Sequence, residues 1–228
     1  MAANITSYSG LTAAVAAWLA RDGDADLAAR ADDFIALMEQ RLYFGSDPVE
    51  AAGIPAMEAV RIPEMYQVNA SFTLSQGAAV PDGMLELVEV NLNPTNTDTS
   101  RPLEIVEESV LDSQDPDATG SPRYVAVSGN TFRVWPDPGT GIYTVTVRYY
   151  GKLSTPSGTT STNYILTNAP GVYLNGCLLE ASLFTGDFEG ASRYGLLYAS
   201  AVGALNTRAQ RRFSGAQNLR MKLRGWTP

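Results

Sequence analysis

The sequence predicts an α+β fold: an antiparallel four-helix bundle formed by N- and C-terminal helical hairpins, with a central β-meander insert and an extended C-terminal tail. Three observations predict it. Apolar residues recur at helical spacing towards both ends of the 228-residue chain, alternating runs fill its middle, and the last stretch is basic and aperiodic. The expected boundaries are 1–60 for the first hairpin and its connecting loop, 61–155 for the β-rich insert, 156–212 for the second hairpin and 213–228 for the tail.

The first helix spans about 8–21, where Leu11, Val15, Trp18 and Leu19 fall on one stripe and Ser7 stands at the N-cap position. Asp22-Gly23-Asp24 breaks the chain. A second helix follows over about Ala25–Tyr43, with Leu27, Ala31, Phe34, Ile35, Met38 and Leu42 on one face. Residues 44–68 carry Gly45, Pro48, Gly53, Pro55 and Pro63 and show no period.

The pattern then becomes β. Met84–Leu92 alternates, and two β-rich runs in Arg123–Trp135 flank Ser128-Gly129-Asn130, a hairpin signal. Ile142–Tyr150 is expected to be the third strand of the meander. Helix returns after the Ser/Thr-rich linker 154–161. Asn168-Ala169-Pro170 marks a start, since proline in a first turn lacks only an N–H that has no partner there. Leu174, Cys177, Leu178, Ala181 and Phe184 are expected to face inward. Gly186 ends that helix, and Asp187 caps a last one to about Arg212 presenting Tyr194, Leu197, Tyr198, Ala201 and Leu205. The insert is expected to be short of core on its own.

Charge is distributed unevenly. All 24 acidic residues lie at or before Glu189, against nine basic ones there, a net of −15. The remainder holds seven basic residues and no acid. A chain polarised in this way attracts a complementary surface in a fixed orientation. The net charge of −8 argues against a duplex-DNA reader, whose affinity comes from neutralising phosphates. The basic stretch, Arg208, Arg211, Arg212, Arg220, Lys222, Arg224 and the anchor-type residue Trp226, is the candidate interface with another chain. Arg211 and Arg212 are placed at the end of the last helix, where its dipole favours cations.

Enzyme chemistry finds little support. Histidine is absent and Cys177 is the one cysteine, which removes most transition-metal sites and any histidine-activated nucleophile. No cofactor is expected, as neither common glycine-rich phosphate cradle is present. The acids of 22–26 superficially resemble a calcium loop but lack its glycine and closing glutamate, and helix capping explains them. Glu107-Glu108 and Asp112/Asp115/Asp117 read as a solvated loop rather than a carboxylate pair for glycoside hydrolysis. Tyr124, Tyr143, Tyr149, Tyr150 and Trp135 read as cross-strand packing rather than a stacking platform. The opening stretch is polar and no apolar run approaches the ~20 residues of a membrane span, so a soluble protein made in a cytoplasm is expected.

Several blocks together resemble the head-to-tail adaptor (connector) family of tailed bacteriophages. They are Ser7-Tyr8-Ser9-Gly10-Leu11 with Trp18-Leu19-Ala20-Arg21-Asp22, Val80–Leu87, Gly120–Tyr124 and Phe132–Pro136. Asn163–Pro170 followed by Tyr173-Leu174 and Cys177–Ala181 completes the set. The resemblance covers about residues 7–212 and departs at Gly10, where relatives often carry a capping-box acid. It implies a homo-oligomeric ring, dodecameric in the family, in the virion neck between capsid and tail, assembled in the host cytoplasm. The implied partners are the portal protein and a tail tube or nozzle protein. Genome DNA would pass through without specific binding, and no membrane is involved. The segment from about Arg208 to Pro228 would grip the portal. The alternatives are a neck or tail-completion protein that does not contact the portal and, from another class, a carbohydrate-active protein built around the β insert.

Overall fold

The computed structural model describes residues 5–21, 23–93, 100–139 and 143–216, with side chains to 212. Its helices are α1 (Tyr8–Trp18), α2 (Ala25–Ala29), α3 (Ala31–Phe44), α4 (Glu108–Asp112), α5 (Tyr164–Asn168), α6 (Pro170–Thr185) and α7 (Phe188–Ala216). Its strands are β1 (Tyr66–Leu74), β2 (Met84–Leu92), β3 (Arg101–Ile105), β4 (Tyr124–Ser128), β5 (Thr131–Trp135) and β6 (Tyr143–Gly151). They divide into a helical unit, 1–63 with 153–228, and a β unit, 64–152.

The predicted four-helix bundle with a small meander insert is not what forms. Seven helices and a six-stranded mixed sheet take its place among the described residues. In the helical unit the reason lies in α6. Ten of its sixteen residues are buried, on every side rather than along one stripe, and α1, α3, α5 and α7 all pack against it. A helix apolar all round belongs at a centre, not in one corner of a bundle.

The expected second helix is also broken. Arg30 (φ −104°, ψ 9°) separates α2 from α3, and Asp24 caps α2 by accepting from the backbone N–H groups of Asp26 and Leu27. Trp18 and Phe184, both expected inside, are exposed. The segment without a period contributes Ala52, Ile54, Met57, Val60 and Ile62 to the core instead. Gly45 (φ +73°) turns the chain into that segment, where a Cβ would stand 2.6 Å from the carbonyl oxygen of Met57.

Gly176 brings the helices close. A Cβ there would lie 2.1 Å from Met38 Cγ and 3.0 Å from Tyr198 Cε2. A polar chain centred on the buried Glu39 and Tyr173 also links α3 to α6. Tyr173 donates to Glu39 at 2.7 Å, Thr155 donates to the other Glu39 oxygen at 2.6 Å, and Asn163 donates to Tyr173 at 2.6 Å. Asn163 also accepts from Leu166 N–H, capping α5. Burial, with Glu39 beside it, pushes the Tyr173 phenol up, so it remains a proton donor.

In the β unit the strand order is β1-β6-β2-β3-β4-β5. The β4–β5 hairpin turns at Gly129-Asn130 with Ser128 opposite Thr131, and Gly129 takes φ +58°. The third strand of the expected meander does not join it, for β6 lies between β1 and β2. Its inward residues Val145, Val147 and Tyr149 are buried, and its backbone pairs on both sides. The free side of β5 is instead closed by residues 77–79, with Phe132 N–H donating to the Ala78 carbonyl at 2.7 Å. The parallel pair β3–β4 is linked through α4. Bulges after Met84 and after Leu87 interrupt the alternation of β2. Contrary to expectation the sheet has its own core, with Leu74, Val90, Leu92, Val125, Phe132 and Val145 among its buried residues.

Candidate partner-binding surfaces

The longest described helix, α7, carries an exposed face. At 29 residues, α7 extends about 43 Å. Asp187 starts it by accepting from Gly190 N–H at 2.9 Å, and Gly186 (φ +74°) ends α6 just before. Ala191, Tyr194, Tyr198, Val202, Leu205 and Ala209 form its buried stripe. Leu197, expected inside, falls outside that stripe and is 47% exposed.

Leu197, Ala204, Arg208 and Arg211 recur at i, i+7, i+11 and i+14, so one exposed strip runs from apolar to basic along the helix. Arg212 is exposed beside it. Because α7 continues to Ala216, Arg211 and Arg212 sit more than a turn before its end. The expected dipole contribution is therefore small, since it fades within the last turn. The predicted tail begins inside this helix, and Arg220, Lys222, Arg224 and Trp226 lie outside the described residues.

A second apolar surface lies between α3 and α6. Phe184 is 53% exposed and packs its ring 5.8 Å from Phe34, with the Arg30 guanidinium 5.1 Å above it. With Leu37 and Leu183 these residues line an open groove. Aromatic and arginine side chains in a partly exposed groove are the usual material of protein contacts.

Glu108, Asp112 and Asp115, among the residues weighed for catalysis, have structural partners. Arg133 Nη1 donates to Glu108 at 2.6 Å and pairs with Asp112 at 2.9 Å, and Ser128 also donates to Glu108. The hydrogen bonds from Arg133 and Ser128 hold the Glu108 carboxyl below its usual range, the wrong direction for a general acid at neutral pH. Asp115 folds onto its own loop by accepting from Asp117 N–H. Burial pushes the Cys177 thiol up, away from the thiolate form that a nucleophile needs. The tyrosines do not form one platform. Tyr124 stacks on Trp135 across β4–β5, Tyr150 meets Tyr66 across β6–β1, and Tyr149 is buried.

No group of His, Cys, Asp and Glu suited to a metal ion occurs among the described residues, and no described helix is long and apolar enough to cross a membrane. The basic end of the exposed α7 face was legible in the sequence as Arg208, Arg211 and Arg212. Its apolar part and the α3/α6 groove were not, because helical periodicity alone assigned Leu197 and Phe184 to the core.

A family model described as SU10 adaptor protein matches residues 6–220, which bears out the resemblance read from the sequence. No curated protein matches the chain.

Proposed function

Since the chain belongs to the SU10 adaptor protein family, a family of phage head-to-tail adaptors, and is thereby a structural protein of the virion, we propose that it forms a ring between the portal and the tail tube or nozzle protein. In this reading twelve copies surround the passage through which the genome leaves. The observation that carries it is the strip on α7, where Arg208 and Arg211 stand exposed on a chain of net charge −8. A basic strip on an acidic body docks on carboxylates of a partner in a fixed orientation. The acidic remainder of the chain would let DNA slide past without adhering.

The α7 arginines are assigned to the portal, and the groove at Phe184 and Leu37 to contact with a neighbour. Reversing all three charges, with Arg208→Glu, Arg211→Glu and Arg212→Glu together, tests the first assignment. Binding to purified portal in sedimentation is expected to weaken at least about tenfold, while the lysine triple variant retains it. Equal binding by the glutamate variant removes these arginines from the portal contact.

A further inference from the structure

The β unit, 64–152, holds twelve acidic and five basic residues. Arg133 and Arg148 are paired with carboxylates. Arg101 and Arg123 are not, among the described residues, although both open on one concavity with Thr119 and Trp135. The parallel pairing of β3 with β4 brings them to the same end of the sheet, since Arg101 begins β3 and Arg123 directly precedes β4. Arg101 is held in place, its Nη2 donating to Ser121 Oγ at 2.9 Å and to the Pro122 carbonyl at 2.5 Å. Trp135 is held too, by Nε1 donating to the Asp115 carbonyl at 2.8 Å and by the Tyr124 ring stacked on it. Arg123 is exposed and has no side-chain partner among the described residues. Two cations sharing one concavity repel each other and favour a carboxylate between them. Arginine beside a fixed indole is also the usual centre of a protein contact. Duplex DNA fits less well, because its binders neutralise a row of phosphates and the rest of this unit is acidic.

The helical unit supplies a complementary surface. Most of its described carboxylates already have a local role. Glu39 and Glu180 are buried with partners, Asp24 and Asp187 cap helices, Asp32 accepts from the Tyr8 hydroxyl, and Asp33 pairs with Arg30. Asp26 and Glu189 stand in first helical turns, where free N–H groups favour an acid. Asp47, Glu50 and Glu58 remain, all exposed and without a side-chain partner among the described residues. They share one short segment that is tied back on itself. Ser46 and Met57 exchange backbone hydrogen bonds at 3.0 and 2.9 Å, and Val49 and Ile54 do so at 2.9 and 3.1 Å. Ala52, Ile54 and Met57 are buried beneath, while Val49 is 41% exposed between Asp47 and Glu50. A turn fixed in this way loses little freedom when it docks.

We propose that Arg101 and Arg123 receive Asp47 and Glu50 of a second copy of this chain, with Val49 of that turn against the Trp135 ring. Charge-assisted hydrogen bonds fix the register, and the indole supplies apolar contact. The two surfaces differ, so the contact runs head to tail and closes into a ring when the rotation permits. The inference rests on the ring reading above and names one junction between neighbours. The α7 arginines take no part in it and stay free for the portal.

A charge swap tests it. The full-length chain is sedimented with purified portal, and the concentration that half-fills the portal with rings is measured. Arg123→Glu and Glu50→Arg are each expected to raise that concentration at least about tenfold, because like charges then meet at every junction. The two changes in one chain should restore the wild-type value, since each junction again holds one acid and one base. Recovery by the double variant also shows that neither change prevents folding. Asp82→Arg, on an exposed residue that lines neither surface, makes the same net change as Glu50→Arg and should leave assembly unaltered. Three results overturn the proposal: single variants that assemble like wild type, a double variant that does not recover, or an equal loss from Asp82→Arg. Retention of duplex DNA by the wild-type chain that Arg123→Glu abolishes would give the pocket to phosphate and overturn it as well. Rings that form equally with the single variants sink this junction alone, whereas portal left bare by the wild-type chain sinks the ring reading with it.

Discussion

Replacing Arg41 with alanine is expected to lower the stability of the helical unit by about 3–5 kcal/mol. Arg41 on α3 donates through Nε to Glu180 on the central helix α6. The arginine side chain is 21% exposed and the carboxylate only 6%. Removing the cation takes away the ion pair that balances this buried carboxylate, and an unbalanced buried charge costs more than the pair itself contributes. Glu180→Met in the same chain should therefore recover much of the loss, because an apolar side chain of similar length fills the site without needing a partner. Urea unfolding of the two variants reads both effects. A loss below about 1 kcal/mol for Arg41→Ala would mean that the pair is no more than a surface contact.

Gly176→Ala is the second large effect. In an exposed helix interior this change gains up to about 1 kcal/mol, from reduced backbone freedom in the unfolded chain. At 176 the new methyl group would lie 2.1 Å from Met38 Cγ and 3.0 Å from the Tyr198 ring, and both neighbours are fully buried. Overpacking of this kind costs about 1–3 kcal/mol, so a net loss of about 1–2 kcal/mol is expected. Gly203→Ala on α7, where the added carbon meets nothing within 4 Å, is the matched control and should stabilise. If both changes stabilise, the helices do not approach at Gly176 as described.

These two sites also show what the sequence conveyed and what it withheld. Local signals were legible: the Ser7 and Asp187 caps, Gly186 at the end of α6 and the Gly129-Asn130 turn are each fixed by residues within a few positions. Strand order was not legible, because β6 pairs with β1 and β2 across some 50 to 80 residues and nothing in Tyr143–Gly151 names those partners. The central role of α6 was hidden for a different reason. A helix buried on all sides has no periodic stripe, so Val172, Tyr173 and Leu179 were passed over in favour of one arbitrary face. The same bias drew Phe184 and Leu197 into the core, although both side chains are about half exposed.

The functional surfaces were legible mainly through charge and block order. The confinement of acids to residues before Gly190 pointed to an oriented contact, and the ordered blocks from Ser7 to Ala181 pointed to the adaptor family that the family model identifies.

The adaptor reading stands or falls on electron microscopy of purified portal incubated with this chain alone. A closed ring of twelve copies stacked coaxially on the portal, with the α7 arginines at the junction, is the expected result. Portal particles that remain bare at saturating concentrations of folded chain, while the same chain binds isolated tails, would contradict it.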